Sequence, residues 1–404
     1  MKKIYSTVLV SLLVLILAAC GEDDTSSSST DGDDDVIKIG SLHPLTGAQA
    51  SEGQEMRDAI QLAIDEKNED GGIDGKEIEL VEGDSENNPE KGISEVQKMD
   101  KEGVVGIVGP YTTAVALSAT QEAEKAGLPF IVDVGSADEI TERGFDFTFR
   151  MQPPASMFPE GFLEYVQQLN EKFDEDLTTV INAHEDSDFG TGMSNVLEEN
   201  AESAGIDLLE TLPHAADTAD LSSDINKIKA ASPDIVTSST YLNDGQLLIE
   251  EILDSGYEPK AIVGMASGAF SNSKFIEEKQ DINQHIMDVN YAINRNNDLT
   301  EEVSEKYKEN FDKGLGPNAA LSYMGAVVLL EAIENADSTD RETVRDAIAD
   351  INISDHILAQ EDIYFDENGQ NANAQPVVNQ IIDGESKVVL PEEYKTEEAV
   401  YPLP

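Results

Sequence analysis

From Val36 onward, apolar residues recur in two rhythms that take turns along the chain, and this alternation restricts the fold more than any other feature. Val36-Ile37-Lys38-Ile39-Gly40 reads as a short strand. Met56, Ile60, Ala63, Ile64 and Lys67 then fall at helical spacing up to a stop at Gly71-Gly72. A strand over 77–82, a helix opened by Asn88-Pro89, a buried-type strand over 104–108, a helix over 113–126 and a strand over 129–134 continue the series. Such alternation predicts an α/β fold with parallel sheets covered by helices. After Pro153-Pro154 the rhythm restarts, with strands expected over 178–183, 206–211, 234–237 and 260–263. Long helices are expected at 299–313, 318–336 and 340–351, covering the first lobe. The tail turns strand-like again from Ile363, with a turn at Asp366-Glu367-Asn368-Gly369 and a strand over 377–382. The expected architecture is two Rossmann-like lobes, 36–152 with 290–355 and 153–289 with 356–404, joined by a hinge crossed more than once. No internal repeat exists beyond the strand–helix rhythm.

The first 35 residues stand outside that rhythm. Lys2 and Lys3 precede an apolar run over 8–17, about half of the ~20 residues a spanning helix needs, so 1–19 reads as a signal peptide. It ends in Leu17-Ala18-Ala19-Cys20, at the only Cys of the chain, and no Arg-Arg pair diverts it from the general secretion route. The alternative for Cys20 is a buried core thiol. Residues 20–35 mix acids with Ser and Thr and lack apolar anchors, which makes them a solvated tether. Asp31-Gly32-Asp33-Asp34-Asp35 lacks the alternating ligands and distal Glu of a calcium loop.

Composition narrows the function. A single Cys excludes a disulfide framework and a thiolate zinc site. With 82 acids against 26 Lys and Arg, the formal charge is −56, and losing Lys2 and Lys3 with the leader leaves −58. Such a chain repels nucleic acid and anionic lipid. At about 1 M salt the Debye length is ~3 Å, so acidity on this scale fits an exported protein of a saline or alkaline habitat. Nucleophile-elbow, zinc-protease and P-loop motifs are absent, and His43, His184, His214, His285 and His356 are scattered without ligand spacing. No metal, cofactor or catalytic residue is expected, and an acidic secreted hydrolase is left without a nucleophile.

One constellation stands out. Gly109-Pro110-Tyr111-Thr112-Thr113 follows the strand over 104–108 and opens a helix, where free N–H groups and hydroxyls favour an anion such as a carboxylate. Val134-Gly135-Ser136-Ala137 ends the next strand beside it. Thr113 as an ordinary helix cap and Ser136 as a turn residue explain the spacing equally well.

Beyond these local signals, the chain resembles the substrate-binding lipoproteins of ABC importers, in the leucine/isoleucine/valine-binding family with the type I periplasmic-binding fold. The resemblance runs through Ile39-Gly40-Ser41-Leu42-His43-Pro44-Leu45-Thr46-Gly47, Gly71-Gly72-Ile73 and Val108-Gly109-Pro110-Tyr111-Thr112-Thr113. It continues in Ile140-Thr141-Glu142-Arg143-Gly144, Phe147-Thr148-Phe149-Arg150, Asp186-Ser187-Asp188-Phe189-Gly190 and Phe365-Asp366-Glu367-Asn368-Gly369-Gln370-Asn371. The end of the leader resembles a lipobox, which implies a diacylglycerol on Cys20 and anchorage at the outer face of the cell membrane.

The resemblance also implies a ligand site. Thr113, the Val134 backbone and Ser136 would hold a carboxylate and ammonium on the first lobe. Asp186, Phe189, Thr240 and Tyr241 would close the cage from the second. Two positions depart from the pattern: the ammonium-binding acid maps to Ala266, and Glu52 stands where an aromatic usually walls the pocket. Glu52 could meet an ammonium from another wall, select a basic or amide ligand, or be one more surface acid. The function implied is capture of a branched-chain amino acid, or a related small amino acid or amide, by a monomer that delivers it to a membrane permease. A ligand-sensing receptor subunit on the same fold is the alternative.

Overall fold

The computed structural model describes residues 36–401; Cys20, the leader and the acidic tether lie outside the described residues. The first sheet is five-stranded, in the order β2-β1-β3-β4-β5. Its strands are β1 (Val36–His43), β2 (Glu77–Asp84), β3 (Ile107–Val108), β4 (Phe130–Val132) and β5 (Thr148–Arg150). All pair in parallel. The helices between them are α1 (Ala50–Glu69), α2 (Pro89–Lys101), α3 (Thr113–Ala126) and the single turn α4 (Glu139–Glu142). The strand expected over 104–108 is shorter in its regular part, but Gly40 N donates to Gly106 O at 2.8 Å and Val105 N to Lys38 O at 2.9 Å, which continue the ladder.

The second lobe repeats the plan. It contains α5 (Met157–Phe173), β6 (Thr179–Glu185), α6 (Asp188–Asn200), β7 (Asp207–His214), α7 (Ser222–Ala231) and β8 (Ile235–Ser239). Next come α8 (Leu242–Asp254), β9 (Ala261–Met265), the short α9 (Ser273–Glu278) and β10 (Met287–Asn290). The chain then returns to the first lobe as α10 (Asp298–Phe311), α11 (Pro317–Ala336) and α12 (Arg341–Ala349), where α11 lies on α1. By length and composition α11 could cross a membrane, but 72% of its apolar stretch is buried inside the protein, so here it is a core helix. β11 (Val377–Ile382) and β12 (Glu385–Leu390) complete a seven-stranded sheet in the order β12-β11-β10-β9-β8-β6-β7.

Two details differ from the sequence reading. β11 runs antiparallel to both its neighbours, β10 and β12, so β12 points the same way as the rest of the sheet. The reason is local: Asp383 at φ 52° and Gly384 at φ 77° form a two-residue hairpin turn, which only antiparallel neighbours can use. Residues 363–371, assigned from sequence to the second lobe, reach the edge of the first sheet instead. Arg150 N donates to Gly369 O at 2.8 Å and Asn371 N to Arg150 O at 2.9 Å, since β5 would otherwise leave an unpaired edge.

Both lobes therefore carry the same strand order, and in each the first strand is flanked by the second and third. Parallel strands put all their carboxyl ends on one side, and ligands bind there in open α/β sheets. In this chain the two carboxyl-end faces meet.

Candidate functional site: a cleft between the two sheets

The cleft is nearly shut, with a cavity volume of about 30 Å³, room for little more than a water molecule. The first lobe lines it with Tyr111, Thr113, Val134, Ser136 and Gln152, from the loops after β3, β4 and β5. The second lobe contributes Phe189, Thr240, Tyr241, Ala266, Gly268 and Ser271, from the loops after β6, β8 and β9. Tyr291, just past β10, and Asn318, in the first turn of α11, complete the wall, with the Tyr291 hydroxyl donating to Asn318 Oδ1 at 2.6 Å.

The loop after β3 can form because of Gly109. Its φ of 143° lies in the left-handed half of conformational space, and a Cβ there would sit 2.3 Å from Leu42 O. The chain turns from this glycine into α3, whose N-cap Thr112 makes no side-chain cap and donates to Asn87 Oδ1 instead. The N–H groups of Thr113, Ala114 and Val115 consequently have no acceptor among the described residues and form the electropositive start of a 14-residue helix. Thr113 Oγ1 accepts from Ser136 N at 3.1 Å and shares a hydrogen bond with Ser136 Oγ at 3.2 Å, so the two loops are fixed to each other.

Residues beneath the surface hold this arrangement. Asp133 is fully buried and accepts from Val134 N at 2.8 Å and Ser322 Oγ at 2.6 Å, with His43 Nε2 at 2.8 Å. The Gln152 amide donates to Val134 O. The Val134 backbone, expected to anchor a ligand, thus has both its polar groups engaged within the protein. Arg150, also buried, donates to Ser136 O and Ala137 O and, through Nε, to Gln370 Oε1 at 2.6 Å. Burial lowers its guanidinium to about 10, short of neutralisation at physiological pH.

The lobes touch around the cleft. The rings of Tyr111 and Tyr241 lie 5.8 Å apart between centroids, and those of Phe189 and Tyr241 5.4 Å apart. Gly268 permits this approach, because a Cβ would come 3.0 Å from the Tyr111 hydroxyl. Ala266 sits at φ 51°, a left-handed conformation costing a non-glycine residue about 1 kcal/mol, and such local strain concentrates at binding sites. Burial raises the Tyr111 and Tyr241 phenols well above their ordinary range, so both remain donors.

A two-lobed α/β chain whose carboxyl-end faces close on a small cleft is a solute-binding architecture, and comparison with known proteins agrees. The family model described as periplasmic binding protein matches residues 36–385. The chain belongs to the periplasmic binding protein family. It is 31% identical over 367 residues to Leu/Ile/Val-binding protein homolog 7 of Brucella suis biovar 1 (strain 1330), covering 88% of this chain and 92% of that one. Its fold matches the branched-chain amino acid transporter substrate-binding protein LivJ of Streptococcus pneumoniae, solved with isoleucine. The TM-score is 0.77 at 21% identity, over 91% of this chain and 100% of that one. The leucine-binding protein LivK of Thermotoga maritima matches with TM-score 0.76 at 22% identity, over 87% and 97% of the two chains. The chain is thus an extracytoplasmic solute-binding protein of that family.

Within this periplasmic binding protein, Thr113, Val134, Ser136, Phe189, Thr240 and Tyr241 all line the cleft. Two acids do not. Asp186 is exposed to water outside the lining. Its neighbour Glu185 turns inward, where its carboxylate accepts from Ser187 N at 2.8 Å and Gly190 N at 2.6 Å and so caps α6. Glu52 is buried but lies outside the cleft lining, and its Oε1 accepts from Asn272 Nδ2 at 3.1 Å, across the lobe boundary. Burial raises the Glu52 carboxyl from its ordinary value, against a lowering by its own backbone N–H and by Lys274. Tyr111, Gln152, Ser271, Tyr291 and Asn318 also line the cleft without having been assigned a role from sequence. Only Tyr111, inside the Gly109–Thr113 motif, carried a local signal.

Proposed function

We propose that the chain captures a small solute of branched-chain amino acid size and carboxylate chemistry between its lobes, and presents the closed form to a membrane permease. The observation that carries this reading is the junction of Thr113 and Ser136 at the uncapped start of α3, facing the aromatic wall of the second lobe across a small cleft. A solute touching both lobes stabilises the closed arrangement by its greater affinity for it. A lipid on Cys20, followed by the acidic tether, would keep a monomeric receptor near the permease; two acyl chains suffice for stable anchorage.

Thermal melts test the reading. The chain is unfolded and refolded to strip bound solute, then melted with leucine, isoleucine, valine, their deaminated acids and their amides. A true ligand at a hundredfold excess over Kd adds about 2.7 kcal/mol of stability. A shift with at least one panel member supports the reading, and no shift with any of them rejects it.

A further inference from the structure

This inference rests on the solute-binding reading and narrows the solute class. In a chain with 82 acids, none of the residues lining the cleft carries a charge. Most acceptors given by the backbone around it are already engaged, with Gln152 Oε1 left open among the side chains. Val134 O already receives the Gln152 amide, Ser136 O and Ala137 O receive Arg150, and Pro110 O receives Gly135 N. Across the cleft, Thr240 O receives Gly268 N, and Asn318 Oδ1 receives the Tyr291 hydroxyl. Donors are in surplus: the first-turn N–H groups of α3 and the Tyr111 hydroxyl have no acceptor among the described residues, although Tyr111 is only 6% exposed. Burial keeps that phenol protonated.

The aromatic residues offer no substitute for an acid. Tyr241 packs against both Tyr111 and Phe189, forming a wall rather than a cage opened around a cation. The buried acids behind the cleft wall, Asp133, Glu185, Asp244, Asp288 and Glu52, lie outside the lining and are each engaged by donors within the protein. An ammonium sealed into this cleft would lose its water without gaining a counter-charge, whereas a carboxylate would meet free donors and a helix N-terminus.

We propose that the cleft selects small monocarboxylates with an uncharged aliphatic or aromatic body and no ammonium group, and that Tyr111 is a specificity-determining donor to the carboxylate. Calorimetric titration of the refolded chain tests this at about 1 M salt, where a Debye length of ~3 Å screens the acidic surface. The probes are matched sets: leucine, 4-methylpentanoate, 4-methyl-2-oxopentanoate and 4-methylpentanamide, then phenylalanine, 3-phenylpropanoate and 3-phenylpropanamide. The expected result is an acid binding at least about tenfold tighter than its amino acid and its amide, a gap of ~1.4 kcal/mol. Tyr111→Phe, which keeps the ring contact with Tyr241, is expected to weaken that acid about fivefold to tenfold without moving the melting temperature of the empty protein by more than a degree or two.

An amino acid binding as tightly as its acid, or tighter, overturns the proposal and leaves the solute-binding reading intact. Loss of that binding in Glu52→Gln would then identify Glu52 as the counter-charge. An amide binding as well as the acid also overturns it, because the site would not be reading charge. Failure of every probe to bind overturns both readings.

Discussion

Arg150 lies under the Ser136 loop, and every hydrogen bond it makes goes to a neutral oxygen: Ser136 O, Ala137 O, Gln370 Oε1 and Thr141 Oγ1. Replacing it by Met removes the donor to Gln370 Oε1 and one of two donors to each carbonyl, since Ser136 O keeps Ala155 N at 2.9 Å and Ala137 O keeps Ile140 N at 3.0 Å. Urea unfolding should show a loss of about 2–4 kcal/mol, together with weaker solute binding as the Ser136 loop relaxes. Asp288 gives a pH prediction. Its carboxylate accepts from Ser267 N at 3.1 Å and Asn290 Nδ2 at 2.8 Å, and burial lifts it from 3.8 to about 7. Between these values the folded chain holds a proton that the unfolded chain has released. Stability therefore falls as pH rises from about 4 to about 7, then levels off. Glu55, also pushed to about 7 by burial, acts in the same direction. Asp288→Asn keeps an acceptor for Ser267 N without the charge. Its melting temperature should gain on the wild type between about pH 5 and pH 8, and a pH-independent difference would refute the assignment. At this scale the sequence is legible where the signal is local. Thr113 and Ser136 stand out because a strand–loop–helix junction announces itself, whereas Gln152, Ser271 and Asn318 reach the cleft only through tertiary contacts. The exchange of Glu185 for Asp186 has the same origin, since which of two adjacent acids caps α6 depends on the strand's inward face.

Among elements, the contact of α1 with the segment leading into α9 has the clearest consequence. Glu52 in the first turn of α1 and Asn272 at the cap of α9 bridge the lobes outside the cleft lining. Their hydrogen bond favours closure without touching a solute. Asn272→Ala should therefore weaken all ligands by a common factor of about three to ten, leaving their ranking unchanged, as calorimetry across the panel would show. A changed ranking would put Glu52 in contact with the solute after all. The seat of α11 on the first sheet is equally specific: a Cβ on Gly106 would lie 2.6 Å from Leu329 Cδ1, and one on Gly325 would lie 2.9 Å from Val108. Gly106→Ala should cost about 1–3 kcal/mol by overpacking, measured by denaturant unfolding. The strand–helix rhythm was readable because each element buries one face with its own period. β12 was not, since Glu385-Ser386-Lys387 hides its apolar half until the Asp383-Gly384 hairpin brings it beside β11.

For the whole molecule, 82 acids against 26 Lys and Arg leave most carboxylates without a cationic partner, and their repulsion opposes both folding and closure. Raising salt from dilute buffer to about 1 M should raise the melting temperature; a fall would contradict this account of the acidity. The two-lobe plan was legible because the rhythm restarts after Pro153-Pro154, but the closed contact of Tyr111 with Tyr241 pairs residues from separate lobes and has no sequence signature. The central claim is that a solute is captured at the Thr113–Ser136 junction. The most direct measurement is a calorimetric titration of the wild type and Thr113→Ala with the tightest solute found. Capture at that junction predicts binding weakened about tenfold or more in a variant that still folds, because Thr113 Oγ1 both faces the cleft and fixes Ser136. Equal affinity in the two proteins would place the solute elsewhere and contradict the account.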